Sequence, residues 1–315
     1  MYYISMSTIS ILIPAYNEQD NIKPLRKRLD KLAQDMSEFK FEFFLVNDGS
    51  TDQTMPLIRN WANQDKKVKF INLSRNFGKE LALTAGLDYV SGDAVLIIDA
   101  DLQDPPELLK EMIQYWKDGF DDIYATRLTR ANESWLKKIT SKIFYHVLQS
   151  TSKIPIQKNA GDFRLLDKKC ILAFRQYREN QRYNKGIFSL IGYRKKEITF
   201  DRPSRNAGKS KFNYFQLISL AIDGIVSFTT SPLRIATIMG LVISLLTFVY
   251  IVIIIIQKLI FNNTVSGYPS LMSVILFLGG VQLISLGIIG EYVGRIFNET
   301  KNRPLYLIQE TNLEK

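Results

Sequence analysis

Ala94-Val95-Leu96-Ile97-Ile98 runs directly into Asp99-Ala100-Asp101-Leu102-Gln103-Asp104-Pro105-Pro106-Glu107. The first five residues are apolar and mostly branched, the composition of a short strand buried on both faces. The run stops at two carboxylates spaced i, i+2, then Pro-Pro and a helix-like segment from about Glu107 to Asp118. Asp-x-Asp at the carboxyl end of a buried strand puts two oxygen ligands at the crevice of an open α/β sheet, where such folds bind ligands. Asp99, Asp101 and Gln103 offer hard oxygens that suit Mg2+ or Mn2+, which can bridge substrate phosphates. Alone, the same residues would also serve as an acidic turn capping the next helix. The flanking chain decides between these readings.

Upstream, apolar runs at Ile9–Ile13, Glu42–Val46 and Val68–Leu73 read as three further strands. Helical segments separate them at about Asn21–Ser37, Asp52–Asn63 and Gly78–Val90, the first capped by Asp20 or Asn21. This β-α-β-α alternation predicts a mostly parallel sheet with right-handed crossovers. Its polar strand ends then cluster along one edge. Each connecting loop also has a plain structural account: Asp48-Gly49-Ser50-Thr51-Asp52 makes a tight turn, and Ser74-Arg75-Asn76-Phe77-Gly78-Lys79 leads into a helix start. At that helix start, backbone N–H groups and Lys79 are placed to hold a phosphate. The Asp48 carboxylate is placed to accept from a base or ribose.

Composition narrows the chemistry. In 315 residues, Lys and Arg outnumber Asp and Glu by 41 to 31, which favours anionic partners. The lone cysteine, Cys170, excludes an intramolecular disulfide. The lone histidine, His146, lies in an ordinary amphipathic pattern, which disfavours a Cys/His zinc site or a Ser-His-Asp triad. Met1-Tyr2-Tyr3-Ile4 lacks the basic region and cleavage site of a signal peptide.

The four loops, Pro14-Ala15-Tyr16-Asn17-Glu18, Val46–Asp52, Arg75–Lys79 and Asp99–Glu107, occur in this order and at these spacings. The set resembles the inverting family 2 glycosyltransferases of GT-A fold. In particular it resembles the polyisoprenyl-phosphate enzymes related to dolichol-phosphate mannose synthase and the bactoprenol glucosyltransferases. The resemblance implies that Pro14, Tyr16, Glu18, Asp48, Lys79 and Asp99 hold a nucleotide sugar. It also implies that Asp99, Asp101 and Gln103 hold the metal and diphosphate. Asp162, in Gly161-Asp162-Phe163-Arg164-Leu165, matches the aspartate proposed as base in that family. Arg202, within the basic Arg202–Lys211 stretch, matches a loop that closes on the diphosphate, with Lys211 at its end. Asp162, Asp101 and Arg202 are therefore the catalytic candidates. Arg127, ending a fifth strand at about Asp122–Thr126, is a candidate for both donor and lipid phosphate. Lys137 and Ser141, on the polar face of an amphipathic helix at Glu133–Gln149, match positions that meet the lipid phosphate.

Ile235–Ile256 carries no charge over 22 residues, long enough to cross about 30 Å of hydrocarbon. A second uncharged stretch spans Asn262–Gly290, and only Lys258 interrupts the connection. Arg234 before the pair and Arg295, Lys301 and Arg303 after it put both flanks in the cytoplasm. The resulting division is a GT-A catalytic domain at 1–212, a juxtamembrane helix at 213–232, and membrane spans at 233–257 and 270–293. An extracytoplasmic loop at 258–269 and a cytoplasmic tail at 294–315 complete it. Asp223 and Glu291, near the membrane ends, read as oligomer contacts or as solvated carboxylates.

The expected reaction moves one sugar from a UDP-sugar to a polyprenyl phosphate such as undecaprenyl phosphate, with Mg2+ or Mn2+ as cofactor. Glucose is the default sugar, and N-acetylhexosamine or mannose from GDP-mannose are the alternatives. A processive polysaccharide synthase would need a Gln-x-x-Arg-Trp element, which Gln181-Arg182-Tyr183 does not match. A non-catalytic membrane scaffold would have no reason to keep Asp99, Asp101 and Gln103 together. A nucleic-acid binder would show a recognition motif, and none is evident.

Overall fold

A computed structural model describes residues 6–127, 160–180, 182–200, 231–261 and 267–314. Its core is one sheet in which β1 (Thr8–Ala15) lies between β2 (Lys40–Asn47) and β4 (Ala94–Ile97), parallel to both. β3 (Val68–Leu73) extends the parallel set beyond β2. On the other side, β6 (Ala160–Asp167) runs antiparallel between β4 and β5 (Asp122–Arg127), and β7 (Lys195–Phe200) lies parallel to β5. The sheet is thus mostly parallel, as expected, with β6 antiparallel to both of its neighbours.

Alternation along the strands builds two cores. Ile9, Ile11 and Ile13 of β1 face one layer with Phe43 and Leu45, and Leu12, Phe44 and Val46 face the other. The first layer is closed by α1 (Gln19–Asp35), α2 (Thr54–Gln64) and α4 (Leu109–Lys117), through Leu25, Leu29, Trp61 and Met112. The second is closed by α3 (Lys79–Tyr89) and α5 (Lys168–Phe174), with α6 (Asn184–Leu190) beside them. Burying each Ile or Leu contributes roughly 1.5–3 kcal/mol. α3 packs so close to β1 that a Cβ on Gly86 would fall 2.1 Å from Leu12 Cδ1. Glycine is required at that crossing.

Elements fall within about two residues of expectation, with local corrections. α1 starts at Gln19, and neither Asp20 nor Asn21 caps it; Glu18 occupies the cap position, and its carboxylate accepts from Asn21 Nδ2. Lys195 and Lys196, in the basic segment that begins at Arg194, lie in β7, and Arg194 directly precedes it. Lys195 donates to the Phe188 carbonyl, and Arg194 and Lys196 lie over the Phe120 ring. The helix expected at Glu133–Gln149 and the juxtamembrane helix at 213–232 lie outside the described residues, apart from 231–232, as does His146.

Two long helices come next, α7 (Ser231–Phe261) and α8 (Tyr268–Thr300), packed against each other. Both are apolar over lengths that cross a bilayer, and Leu241, Leu276 and Leu283 leave most of their surface outside the fold. Helices that bury so little of their apolar surface within the chain need an apolar solvent. α8 runs past the expected boundary at 293. Glu291 is ion-paired to Arg295 one turn on, and Asp223 lies outside the described residues.

The C-terminal residues are not a free tail. β8 (Ile308–Thr311) adds antiparallel to the outer edge of β3. Arg59 forks onto Glu310, and Tyr306 donates to Asp88, which also takes Arg178. Asn180 grips Glu299 at the end of α8. No sequence pattern announced this strand, because four residues with alternating exposure look like any polar tail. Removing residues 305–315 should lower the unfolding midpoint and speed amide exchange along β3, an edge then left open. Glu310→Ala alone should cost under about 1 kcal/mol, since the pair is solvent-exposed. Unchanged melting and exchange on truncation would contradict the assigned role of β8.

Candidate active site

The carboxyl ends of β1, β2 and β4 and the start of α3 meet at a cleft of about 260 Å3. Loop-to-loop hydrogen bonds hold its floor. Asn17, at φ 55°, accepts through Oδ1 from the Thr51 N–H, and its own N–H donates to Ser50 Oγ. Asparagine tolerates this left-handed conformation better than most residues. The Glu18 N–H donates to Thr54 Oγ1 at 2.8 Å. Gly49, at φ +65°, sits where a Cβ would fall 2.3 Å from the Arg75 carbonyl carbon, so only glycine lets these loops touch.

Pro14, Tyr16, Glu18, Asp48, Lys79, Asp99 and Asp101 all line the cleft. Asp48 has a prior task. Its two oxygens accept from the Phe77 and Gly78 N–H groups at 2.7 and 2.9 Å, fastening the lead-in to α3. Burial raises its carboxyl above the ordinary value, and these N–H groups and Arg75 oppose the rise. The N–H groups of Phe77 and Gly78, part of the helix start read as a phosphate cradle, therefore already serve this aspartate.

The acidic loop after β4 is built by its own side chains. Asp104 Oδ2 accepts from the Asp99 N–H, and Asp101 Oδ1 accepts from the Gln103 N–H. Leu102 takes φ 63°, and Arg28 donates to its carbonyl while forking onto Glu107 at 3.2 and 2.6 Å. Arg28 and Asp104 were missed as site residues. Arg28 sits on the exposed side of α1, some seventy residues away in sequence, with no local signal. Asp104 lay within the quoted motif and was given no role there.

The decisive geometry comes from strand pairing. Ile97 of β4 sits opposite Arg164 of β6, so the antiparallel register carries Asp99 to a place beside Asp162. Like charges opposite each other across strands are destabilising. Lys79, the first residue of α3, resolves the conflict, with Nζ 2.6 Å from Asp99 Oδ1 and 2.6 Å from Asp162 Oδ2. Burial opposes charge on Asp162, but Lys79 and Lys185, with Arg164 behind, hold its carboxyl well below the usual range. Burial likewise works against the Lys79 ammonium, and the two aspartates more than reverse it, raising the group above an ordinary lysine. Arg164 is fully buried, pairs with Asp122 at 3.2 Å, and stacks under Phe188.

Asp99 and Asp162 already share one cation, and among the described residues buried Asp162 Oδ1 has no hydrogen-bond partner. Two carboxylates and the Asp101 and Gln103 oxygens of the same loop are hard donors, so these residues fit Mg2+ or Mn2+. Among the described residues, no three His, Cys, Asp or Glu side chains converge as a self-sufficient metal group. Cys170 is buried and its thiol is pushed up to about 12 by burial and neighbouring aspartates, which makes it a poor nucleophile. Arg127 ends β5, but only its backbone is described. Lys137, Ser141, Arg202 and Lys211 lie outside the described residues.

An open α/β sheet with an acidic, lysine-bridged cleft at its carboxyl edge is the plan of an enzyme that handles a nucleotide-linked group. Residues 10–206 match Glycosyl transferase family 2, and residues 231–296 match the GtrB C-terminal hairpin. The chain belongs to glycosyltransferase family 2, is a glycosyltransferase of GT-A fold, and is membrane-associated. It is 48% identical over 302 residues to an uncharacterized glycosyltransferase of Synechocystis, covering 96% of this chain and 95% of that one. It is 42% identical over 304 residues to a bactoprenol glucosyl transferase of Shigella phage SfII, covering 96% and 98%. A mannosyltransferase of Pyrobaculum calidifontis, solved with GDP-Man and Mn2+, aligns over 90% of this chain and 88% of that one at 15% identity and TM-score 0.45.

Glu80, next to Lys79, was also missed. It accepts from the Asn184 N–H at 2.8 Å and so fastens α6 against α3. Burial and then Asp162 push its carboxyl up to about 7, against the pull of Asn184, Lys185 and Lys79. Between its ordinary 4.5 and about 7, the folded protein holds a proton that the unfolded chain has released. Stability contributed by this group is therefore lost as pH rises through that window. Glu80→Gln keeps an acceptor for Asn184 and removes the titration. Its melting point should rise relative to the native protein by a few degrees from pH 5 to 7.5. Parallel melting curves would exclude Glu80 as the titrating group.

Proposed function

We propose that this enzyme transfers a single glucose from UDP-glucose to a polyprenyl phosphate at the cytoplasmic face of the membrane, inverting the anomeric centre. The observation that carries the reading is the Asp99–Lys79–Asp162 cluster at the sheet edge of a chain that also bears two apolar helices. The name bactoprenol glucosyl transferase, printed for relatives matched over nearly their full length, supports glucose and a polyprenyl acceptor. N-acetylhexosamine or GDP-mannose as donor are alternatives that a panel of labelled donors separates.

In this reading Tyr16, exposed at the cleft mouth, meets the base, and Glu18 and Asp48 line the nucleoside side. Asp99, Asp101 and Gln103 hold Mg2+ or Mn2+, which when bound neutralises charge on the leaving diphosphate. Arg202, Lys211 and Arg127 add positive charge around the same group, the electrostatic term that is usually largest. Lys137, Ser141 and Arg127 hold the lipid phosphate. A phosphate monoester with a second pKa near 6 is already dianionic at neutral pH and needs little help from a base. Asp162 then acts by placing charge at the cleft rather than by taking a proton.

The spans at 233–257 and 270–293 carry the domain to its lipid substrate. β8 bonds to β3, which supports both hairpin flanks lying on the catalytic side, and basic residues at Arg234, Arg295, Lys301 and Arg303 agree with a cytoplasmic face.

Full-length protein in detergent, given undecaprenyl phosphate, Mg2+ or Mn2+ and a panel of labelled nucleotide sugars, should move label from UDP-glucose into the lipid phase. Asp101→Ala should lose roughly 100-fold or more of that rate. Folded protein that labels lipid from no donor would contradict the proposal.

A further inference from the structure

The cleft oxygens best suited to a divalent cation are already bridged by a cation from within the chain. Asp99 and Asp162 lie side by side through the β4–β6 register, and Lys79 Nζ sits 2.6 Å from each. A divalent ion at Asp99 and an ammonium bound to the same carboxylate would repel each other at close range. One of the two has to leave. Lys79 is built to be the one that moves. It is the first residue of α3, with the cleft before it, and 43% of its side-chain surface is exposed. Asp162, by contrast, is 10% exposed and fixed on the sheet.

We propose that Lys79 is an exchangeable counter-cation. It bridges the Asp99–Asp162 pair while the donor site is empty, excludes a free divalent ion, and transfers to the donor's diphosphate when metal and nucleotide arrive together. The inference rests on the donor reading above and adds an order of binding to it. In the empty cleft, one ammonium offsets half the charge of the two carboxylates, and Lys185 adds to it at Asp162. In the loaded cleft a divalent ion offsets them, and the displaced ammonium faces the phosphate anions. Asp162 Oδ1, without a hydrogen-bond partner among the described residues, is an oxygen available to the incoming ion. The protein's own contribution of a few oxygens is the pattern of an ion shared with substrate phosphates. The phosphate-holding role expected of Lys79 and its observed pairing with Asp99 are then two positions of one side chain.

The test reads Mn2+ binding, not turnover. Full-length protein in detergent is titrated with Mn2+ and followed by the electron paramagnetic resonance of the free ion, with and without UDP. Native protein should bind Mn2+ at least ten-fold more tightly with UDP than without it. Lys79→Gln should bind Mn2+ alone at least ten-fold more tightly than native protein does, and UDP should add less. Lys79→Arg, which keeps the cation, should retain weak binding of Mn2+ alone. Lys79→Gln that melts like native protein yet binds Mn2+ alone no better overturns the inference, while UDP-promoted binding in native protein keeps the donor reading standing. Native protein that binds Mn2+ equally well with and without UDP overturns the inference with no variant needed. Native protein that binds neither Mn2+ nor UDP overturns the donor reading and this inference together.

Discussion

Two aspartates brought side by side by the register of adjacent antiparallel strands are the constraint around which this catalytic domain is arranged. The register that places Leu96 and Leu165 in the core also brings Asp99 and Asp162 together beyond the strand end. Their repulsion has to be met locally, and Lys79 meets it from the first turn of α3. The position of Lys79 depends in turn on Asp48, which ties the lead-in to α3 through two backbone N–H groups. That contact needs a glycine at 49 for the loops to approach. Behind the cluster, Glu80 bonds α6, and Arg164 with Asp122 fills the sheet below Asp162 with a second, fully buried ion pair. Removing one member of such a pair typically costs about 3–5 kcal/mol, so the fold and the site share their electrostatics.

The same logic extends to the membrane side. α7 and α8 leave much apolar surface uncovered, yet the residues after α8 return to the sheet as β8. The chain therefore leaves the catalytic domain and comes back to it, and Asn180 holds the end of α8 through Glu299.

Much of this was legible in the sequence because the parallel strands are short, apolar and interrupted by strong turn signals. Ile9–Ile13, Val68–Leu73 and Ala94–Ile98 declare themselves by composition, and Asp99–Glu107 by its spaced carboxylates and paired prolines at a strand end. The cleft residues Pro14, Tyr16, Glu18, Asp48, Lys79, Asp99 and Asp101 were all legible too, since polar ends of parallel strands must share an edge. The hidden features depend on contacts between distant segments. β8 has no hydrophobic pattern of its own, Arg28 reaches the acidic loop from another element, and Glu80 reads as an ordinary helical glutamate until Asn184 is placed against it. The pairing of Asp99 with Asp162 through Lys79 is of this kind. Sequence named all three residues and had no means of setting them around one nitrogen.

A structure of the full-length protein with UDP and Mn2+ bound tests the central claim most directly, through the distances from Lys79 Nζ to Asp99 and Asp162. The account predicts Mn2+ at Asp99, with UDP diphosphate oxygens in its coordination sphere and Lys79 withdrawn from the carboxylates toward those phosphates. UDP bound elsewhere, or bound in the cleft with both 2.6 Å contacts of Lys79 intact, would contradict it.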